Sequence, residues 1–402
     1  MKIVFLYPPS LYLNHSMFKH YTYFAETIEI ISRKYTDVCV LDCAVEMKSR
    51  NEIYEKFRNT DFLITIIEPY NIRIAIELME VCKFISKSCK TIVYGTAAAL
   101  IPNYLSACDS IDYIIANGEF AEGIFQVLHH VADSPDKILF PRCSVKEHRW
   151  GCSLDSCAPL ERYRYWGKGM FEFTVQVGCP FNCTFCSEKV LFRQSKDFIY
   201  AQRPVDESIA ILKRIKDEYE SVYFSATTFT YDREWVLELC RKMIKENCVI
   251  PWRSDTRVDC LDIELVQSMR KAGLKQLSLG IESLEDDVLR KVNKRQTSSE
   301  ILDTVQMCRE NGVGIKALLI LGIPGQTAED VFHTQRMVEE LGIPYRWKEY
   351  SPIRELHYKD MQKCDVSGEL DKFSRNTFLA SSIEGLSAEQ YMDLLFPKGY
   401  IR

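Results

Sequence analysis

The sequence predicts two α/β domains in series, a doubly wound parallel sheet over residues 1–132 and a partial barrel of six βα units over residues 169–345. Three observations carry this. Short apolar runs alternate with amphipathic stretches from Lys2 to about Ala132, and the alternation restarts at Phe171. The runs of the first series are apolar throughout, as strands covered on both faces require. A chain of 402 residues is also long enough to bury two separate cores.

In the first series the strands fall at Lys2–Tyr7, Asp37–Asp42, Asp61–Ile66, Lys90–Tyr94 and Ile111–Ile115. Helical patterns lie between them at Thr22–Arg33, Asn51–Arg58 and Ile74–Ser86, and a last helix runs from near Glu119 to about Ala132. This is the Rossmann-type arrangement. Residues 133–168 read as a connector, with Asp133-Ser134-Pro135-Asp136 as turn chemistry and Cys143, Cys152 and Cys157 in no clear period. In the second series strands fit Phe171–Val177, Ser221–Ser225, Pro251–Asp255, Lys275–Gly280, Ile315–Leu321 and Tyr345–Tyr350. Helices fit Asp206–Tyr219, Arg233–Glu246, Asp262–Lys271, Ser298–Asn311 and Ala328–Leu341. Six units are too few to close an eight-stranded barrel, so a partial TIM-type barrel is expected, its chemistry at the carboxyl ends of the strands. Residues 346–402 mix aromatics with charges and are expected to close the barrel mouth on the substrate side.

Composition narrows the function. With 47% hydrophobic and 27% charged residues and a net charge of −5, nothing favours nucleic acid or an anionic membrane as partner. No run reaches the roughly 18 apolar residues of a membrane span. The start, Met1 to Pro9, is too short for a signal peptide and reads as a buried first strand, so a cytoplasmic location is expected. Most of the 16 cysteines sit singly in apolar stretches, where a free thiol behaves as a small hydrophobe. A secreted disulfide framework is not indicated.

One cysteine group stands apart: Gly178-Cys179-Pro180-Phe181-Asn182-Cys183-Thr184-Phe185-Cys186, directly after the first barrel strand. Zinc calls for four ligands, usually in paired knuckles, and no matching pair follows. A ferredoxin-type cluster calls for a fourth cysteine close by, yet the next is Cys240. Three thiolates on a four-iron cube leave one iron open to a cofactor or substrate.

This spacing, with the aromatic Phe185 before the last cysteine, resembles the signature of the radical S-adenosylmethionine (SAM) superfamily, and the resemblance runs from about 171 to 352. It implies a [4Fe–4S] cluster on Cys179, Cys183 and Cys186, its open iron chelating the amino and carboxylate groups of SAM. It further implies one-electron cleavage of SAM to a 5′-deoxyadenosyl radical that abstracts hydrogen from an unactivated C–H bond. Other segments resemble that family's cofactor contacts. Leu279-Gly280-Ile281-Glu282-Ser283 matches the ribose-contacting segment, with Glu282 accepting from the ribose hydroxyls and Ser283 beside it. Lys294 matches a basic residue that meets the SAM carboxylate. Gly322, Pro324 and Gly325, in Leu321–Thr327, match an adenine-approaching turn. Arg257 ends another strand and is a further candidate. The second strand ends in Ser225-Ala226-Thr227-Thr228, where many relatives carry acids that hold the SAM amine, so that contact has no assigned residue.

Residues 1–130 resemble the cobalamin (B12)-binding domain that precedes the barrel in one large subgroup, on the strand ending in Pro8-Pro9, the five-strand alternation and Asn117-Gly118-Glu119. Gly95, in Tyr94-Gly95-Thr96-Ala97-Ala98, stands where relatives often carry paired glycines that admit the corrinoid tail. The Asp-x-His-x-x-Gly ligand motif is absent; His15 and His20 lie in the first loop. The resemblance implies a small-molecule or peptide substrate and an electron donor such as flavodoxin or ferredoxin. With cobalamin the favoured reaction is methylation, and without it dehydrogenation, rearrangement or bond formation. A non-catalytic iron–sulfur regulator is the competing class, and it leaves Glu282, Lys294 and Gly322 at successive strand ends unexplained.

Overall fold

A computed structural model describes residues 1–9, 17–44, 46, 48–129, 136–141, 148–152, 154, 169–192, 200–368 and 383–395, with the side chains of 17–22 also left out. His15, Cys143, Cys157 and the side chain of His20 therefore lie outside the described residues.

Six parallel strands form the first sheet: β1 (Ile3–Tyr7), β2 (Val38–Asp42), β3 (Phe62–Ile66), β4 (Lys90–Tyr94), β5 (Tyr113–Ile115) and β6 (Ile138–Leu139), in the order β2-β1-β3-β4-β5-β6. The two-residue β6 pairs with β5 and extends the expected five strands; it is too short to leave a pattern in sequence. β1 and β3 are buried along their whole length, as sheets covered by helices on both faces demand. Those helices are Met17–Ser32, Arg50–Phe57, Ile72–Ile85 and Phe120–His129. Ser49 and Glu52 satisfy each other's neighbouring N–H groups and so start the second of them. Two single-turn helices, Thr96–Leu100 and Pro102–Ser106, fill the β4–β5 connection.

The second sheet takes its six parallel strands in chain order: β7 (Met170–Thr174), β10 (Ser221–Ser225), β11 (Trp252–Thr256), β12 (Leu274–Glu282), β13 (Gly314–Leu321) and β14 (Tyr345–Glu349). This is the expected partial barrel. One strand departs from the reading. The run Phe171–Val177 divides at Val175, whose N–H still reaches Ser225 while its carbonyl accepts from Arg203. Beyond that point β8 (Gln176–Gly178) leaves the barrel and pairs antiparallel with β9 (Tyr200–Gln202). The cysteine loop is thus carried on a two-stranded ribbon at the barrel mouth.

Along the barrel strands one face packs on helices: Val222 and Phe224, Leu277 and Leu279, and Ile315, Ala317 and Leu319 share a core with Leu212, Leu239, Val266, Ile301 and Val331. The other face is mixed, with half-buried Tyr223, Gln276, Ser278 and Lys316 beside Leu318.

Among the described residues, contacts at several places tie the two sheets together. Val190, Leu191 and Phe192, on the helix Glu188–Phe192 that follows the cysteine loop, join the core of the first sheet. There Gly118 donates to the Leu191 carbonyl at 2.9 Å. On the helix Ile353–Met361, Asp360 accepts from the Asn103 and Tyr104 N–H groups at 2.9 and 2.8 Å. Buried Glu26 accepts from the Thr174 N–H at 2.8 Å and faces the Arg203 guanidinium at 3.6 Å. Burial pushes the Glu26 carboxyl up to about 7, against the pull of Arg203. Among the described residues no helix is long and apolar enough to cross a membrane.

Candidate active site at the barrel mouth

The cysteine loop begins at Gly178, whose φ of 73° turns the chain away from β8. Backbone carbonyls and an N–H of the loop are held from outside. Thr227 donates to the Gly178 carbonyl at 2.6 Å, and Lys189 reaches the Cys179 carbonyl at 2.9 Å. Thr184 donates to the Val292 carbonyl at 3.1 Å, and Asn293 to the Asn182 carbonyl at 2.9 Å. Cys183 is buried; Cys179 and Cys186 are partly open. Burial disfavours the thiolates of Cys183 and Cys186, while Lys294 and Arg257 pull the Cys183 value the other way. Thiolate–metal coordination supplies the compensation that burial removes.

Arg257, just past β11, is the hub of the loop's surroundings. Its guanidinium lies over the Phe181 ring at 3.9 Å and donates to the Cys183 sulfur at 3.4 Å. It also pairs with both Asp259 oxygens at 2.8 and 2.9 Å and donates to the Lys294 carbonyl at 2.6 Å. Such a fork fixes one orientation that a lysine would not.

Glu282 ends β12 with φ 65°, a left-handed conformation at a register shift between Gly280 and Glu282. That kink turns its carboxylate onto the Lys294 ammonium at 2.7 Å, both side chains more than 90% buried. Gly280 makes room for the pair, since a Cβ there would stand 2.7 Å from the Glu282 carboxylate and 2.8 Å from the Lys294 nitrogen. Glu282, Lys294, Arg257 and Cys183 are therefore one connected group.

The other candidates sit as follows. The Ser283 hydroxyl is fully buried and serves the next turn, accepting from the Glu285 N–H at 3.1 Å and meeting Thr334 at 3.4 Å. The Gly322 N–H donates to the side chain of buried Gln326 at 2.8 Å, with Pro324 exposed at the turn's tip. Phe185 packs on Val288, Val292, Ile320, Ile323 and Tyr350, an apolar wall joining the loop to the ends of β13 and β14. Gly95 lies in the first sheet, at the end of β4, with φ 109°, and a Cβ there would meet the Ile67 carbonyl at 2.6 Å.

Sequence reasoning did not single out Lys189, Gln176 or Thr228. Thr228 approaches the Cys179 sulfur at 3.7 Å and its N–H meets the Gln176 side chain at 2.9 Å, so the strand end that lacks acids buttresses the cysteine loop. The Ser225–Thr228 departure was the only available signal for that role. Cys152 is buried, and its N–H donates to the Glu29 carboxylate at 2.9 Å. Among the described residues no three His, Cys, Asp or Glu side chains converge on a single ion.

Comparison with known proteins agrees with this architecture. Residues 173–338 match the Radical SAM superfamily model. The anaerobic magnesium-protoporphyrin IX monomethyl ester cyclase of Cereibacter sphaeroides is 25% identical over 79% of this chain and 56% of the relative. The chain spans between 32% and 56% of the length of three curated relatives it matches. The radical SAM methyltransferase TsrM from Kitasatospora setae, solved with tryptophan substrate and a SAM analog, superposes with a TM-score of 0.68. That match is at 15% identity and covers 88% of this chain and 75% of TsrM. OxsB, a cobalamin-dependent SAM radical enzyme, gives 0.66 at 14% identity, covering 94% of this chain and 56% of OxsB. Both are likenesses of fold. Residues 173–338 thus carry a Radical SAM superfamily match on the barrel, and the fold that precedes it is similar to the B12-binding-like domain of the cobalamin-dependent neighbour.

Proposed function

We propose that this chain is a radical SAM enzyme that modifies an unactivated C–H position of a small-molecule or peptide substrate, with Cys179, Cys183 and Cys186 holding a [4Fe–4S] cluster. The carrying observation is the connected group at the barrel mouth, in which Arg257 touches the Cys183 sulfur and the carbonyl of Lys294, and Lys294 pairs with Glu282. The residues suit the cluster: three thiols on one pinned loop, two of them disfavoured as free thiolates by burial, beside two cations that stabilise negative charge on sulfur. When bound and reduced, the cluster and SAM supply a 5′-deoxyadenosyl radical.

This chain's own residues position and shield. Glu282 would accept from ribose hydroxyls and Lys294 would meet a carboxylate, a reading supported by their mutual pair, which fixes both side chains. The wall of Phe185, Val288, Val292, Ile320, Ile323 and Tyr350 keeps water from one side of the mouth. Anaerobic reconstitution with iron and sulfide, then SAM and dithionite, is expected to release 5′-deoxyadenosine. Full release by Cys183→Ala, or none by the native chain, overturns the proposal. SAM binding without any cleavage favours the regulator reading.

Cobalamin-dependent methylation is the finer reading, supported by one observation in the first domain. The Tyr94 hydroxyl is fully buried at the carboxyl end of β4 with no hydrogen-bond partner among the described residues, a group that the amide-rich rim of a corrinoid would satisfy. Tyr94 and Gly95 would then face the cofactor, which supplies a methyl group for transfer. A corrinoid absorption band after refolding with hydroxocobalamin supports this branch, and its absence favours cobalamin-free radical chemistry. A flavodoxin or ferredoxin is the proposed electron donor.

A further inference from the structure

Arg257 has few donors left for SAM. A guanidinium carries five N–H groups. Nε donates to one Asp259 oxygen at 2.9 Å, and Nη2 donates to the other at 2.8 Å and to the Lys294 carbonyl at 2.6 Å. Nη1 donates to the Cys183 sulfur at 3.4 Å, so a single N–H remains. The Phe181 ring covers the plane at 3.9 Å, and both Arg257 and Cys183 are buried. Asp259, the Lys294 carbonyl and Phe181 fix the guanidinium without help from the sulfur, so the aim of Nη1 does not depend on what Cys183 binds. Asp259 is held in turn by the Gln296 amide at 2.7 Å. The neighbouring Cys179 is treated differently, since its sulfur meets only the neutral Thr228 hydroxyl, at 3.7 Å.

We propose that Arg257 is a positioning residue that raises the reduction potential of the cluster through the Cys183 sulfur, and that Asp259 limits the rise. This rests on the radical SAM reading, which supplies the cluster. Hydrogen bonds to cluster sulfurs, local charge and exclusion of solvent are what set such potentials. Reduction adds negative charge that the sulfurs share, so a cationic donor on one of them stabilises the reduced state more than the oxidised one. The Asp259 carboxylate neutralises the guanidinium and opposes that effect. Burial keeps water from screening either contribution. Two residues one position apart therefore act with opposite signs, and their balance sets how strong an electron donor the cluster requires.

The test reconstitutes the full chain anaerobically with iron and sulfide and follows the electron paramagnetic resonance signal of the reduced cluster against poised potential. Arg257→Met is expected to lower the midpoint by about tenfold in the reduction equilibrium, which is about 59 mV for one electron. Asp259→Asn leaves the guanidinium uncompensated and is expected to raise it. Arg257→Lys keeps the charge but loses the fork, and its midpoint is expected between those of the native chain and Arg257→Met. A merely structural role does not move the midpoint in opposite directions in the two variants. SAM affinity, measured by equilibrium dialysis, is expected to be unchanged in Arg257→Met. An equal midpoint in the native chain and Arg257→Met overturns the proposal, and a loss of SAM affinity beside it makes Arg257 a SAM contact. If Arg257→Met takes up no cluster, Asp259→Asn decides: a raised midpoint supports the proposal, and an equal or lowered one overturns it. A native chain that takes up no iron instead sinks the radical SAM reading itself, an outcome that is read before any variant is made.

Discussion

The two six-stranded parallel sheets of this chain differ in how they spend their second face. In the first sheet β1 and β3 are buried at every position, because helices cover both sides. In the second, β10 and β13 alternate, with Val222, Phe224, Ile315 and Ala317 against helices and Tyr223 and Lys316 turned to the interior. A curled sheet shields its concave side from bulk water without filling it with hydrocarbon. That side can hold charge at modest desolvation cost, and charge is what a substrate recognises.

The largest expected break in this comparison is at the rim of the second sheet. Cys183→Ala is expected to lose cluster iron and 5′-deoxyadenosine release together, measured by iron content and product assay, while the far-ultraviolet circular dichroism stays native. Next comes the buried pair. Glu282→Leu strands the Lys294 ammonium and is expected to cost about 3–5 kcal/mol in urea unfolding. Glu282→Leu with Lys294→Met is expected to recover much of that stability but not SAM affinity, which separates folding from binding. At the rim of the first sheet, Gly118→Ala sets a Cβ 2.4 Å from the Phe192 ring. The expected loss is about 1–3 kcal/mol, relieved by Phe192→Leu in the same chain.

A pH dependence is also expected at the contact between the sheets. Glu26 has its carboxyl raised from 4.5 to about 7 by burial, so the folded state favours the proton. Its contribution is fully present below about 4.5 and is lost as pH rises through about 7. Urea midpoints of the native chain are expected to fall across that window, and Glu26→Gln, which keeps a neutral side chain throughout, is expected to flatten the slope. An equal slope in the variant removes Glu26 from the account.

Most of this architecture was legible before any coordinates. Lys90–Tyr94 and Ser221–Ser225 match their expected bounds, because apolar runs between turn residues leave little freedom in where a strand begins and ends. The division at Val175 was hidden, since Phe171–Val177 alternates without interruption and only pairing with β9 pulls its end from the barrel. Thr96–Leu100 was missed because one turn of helix is shorter than the period that reveals it. The cysteines were readable from spacing. Arg257's grip on Cys183 was not, for no local pattern announces a contact between residues 74 positions apart. The Glu282–Lys294 pair is intermediate: twelve residues separate them, and only the left-handed kink at Glu282 brings the two charges together.

The helix Glu188–Phe192 has a consequence for dissecting the molecule. It follows the cysteine loop in the chain, yet Val190, Leu191 and Phe192 complete the hydrophobic core of the other domain. A barrel excised without residues 1–132 would expose those three side chains to water, starting three positions downstream of the last cysteine's neighbour Ser187. Any chimera that exchanges the first domain therefore has to redesign this helix with it, or the loop that holds the cysteines will be anchored to a surface that no longer exists.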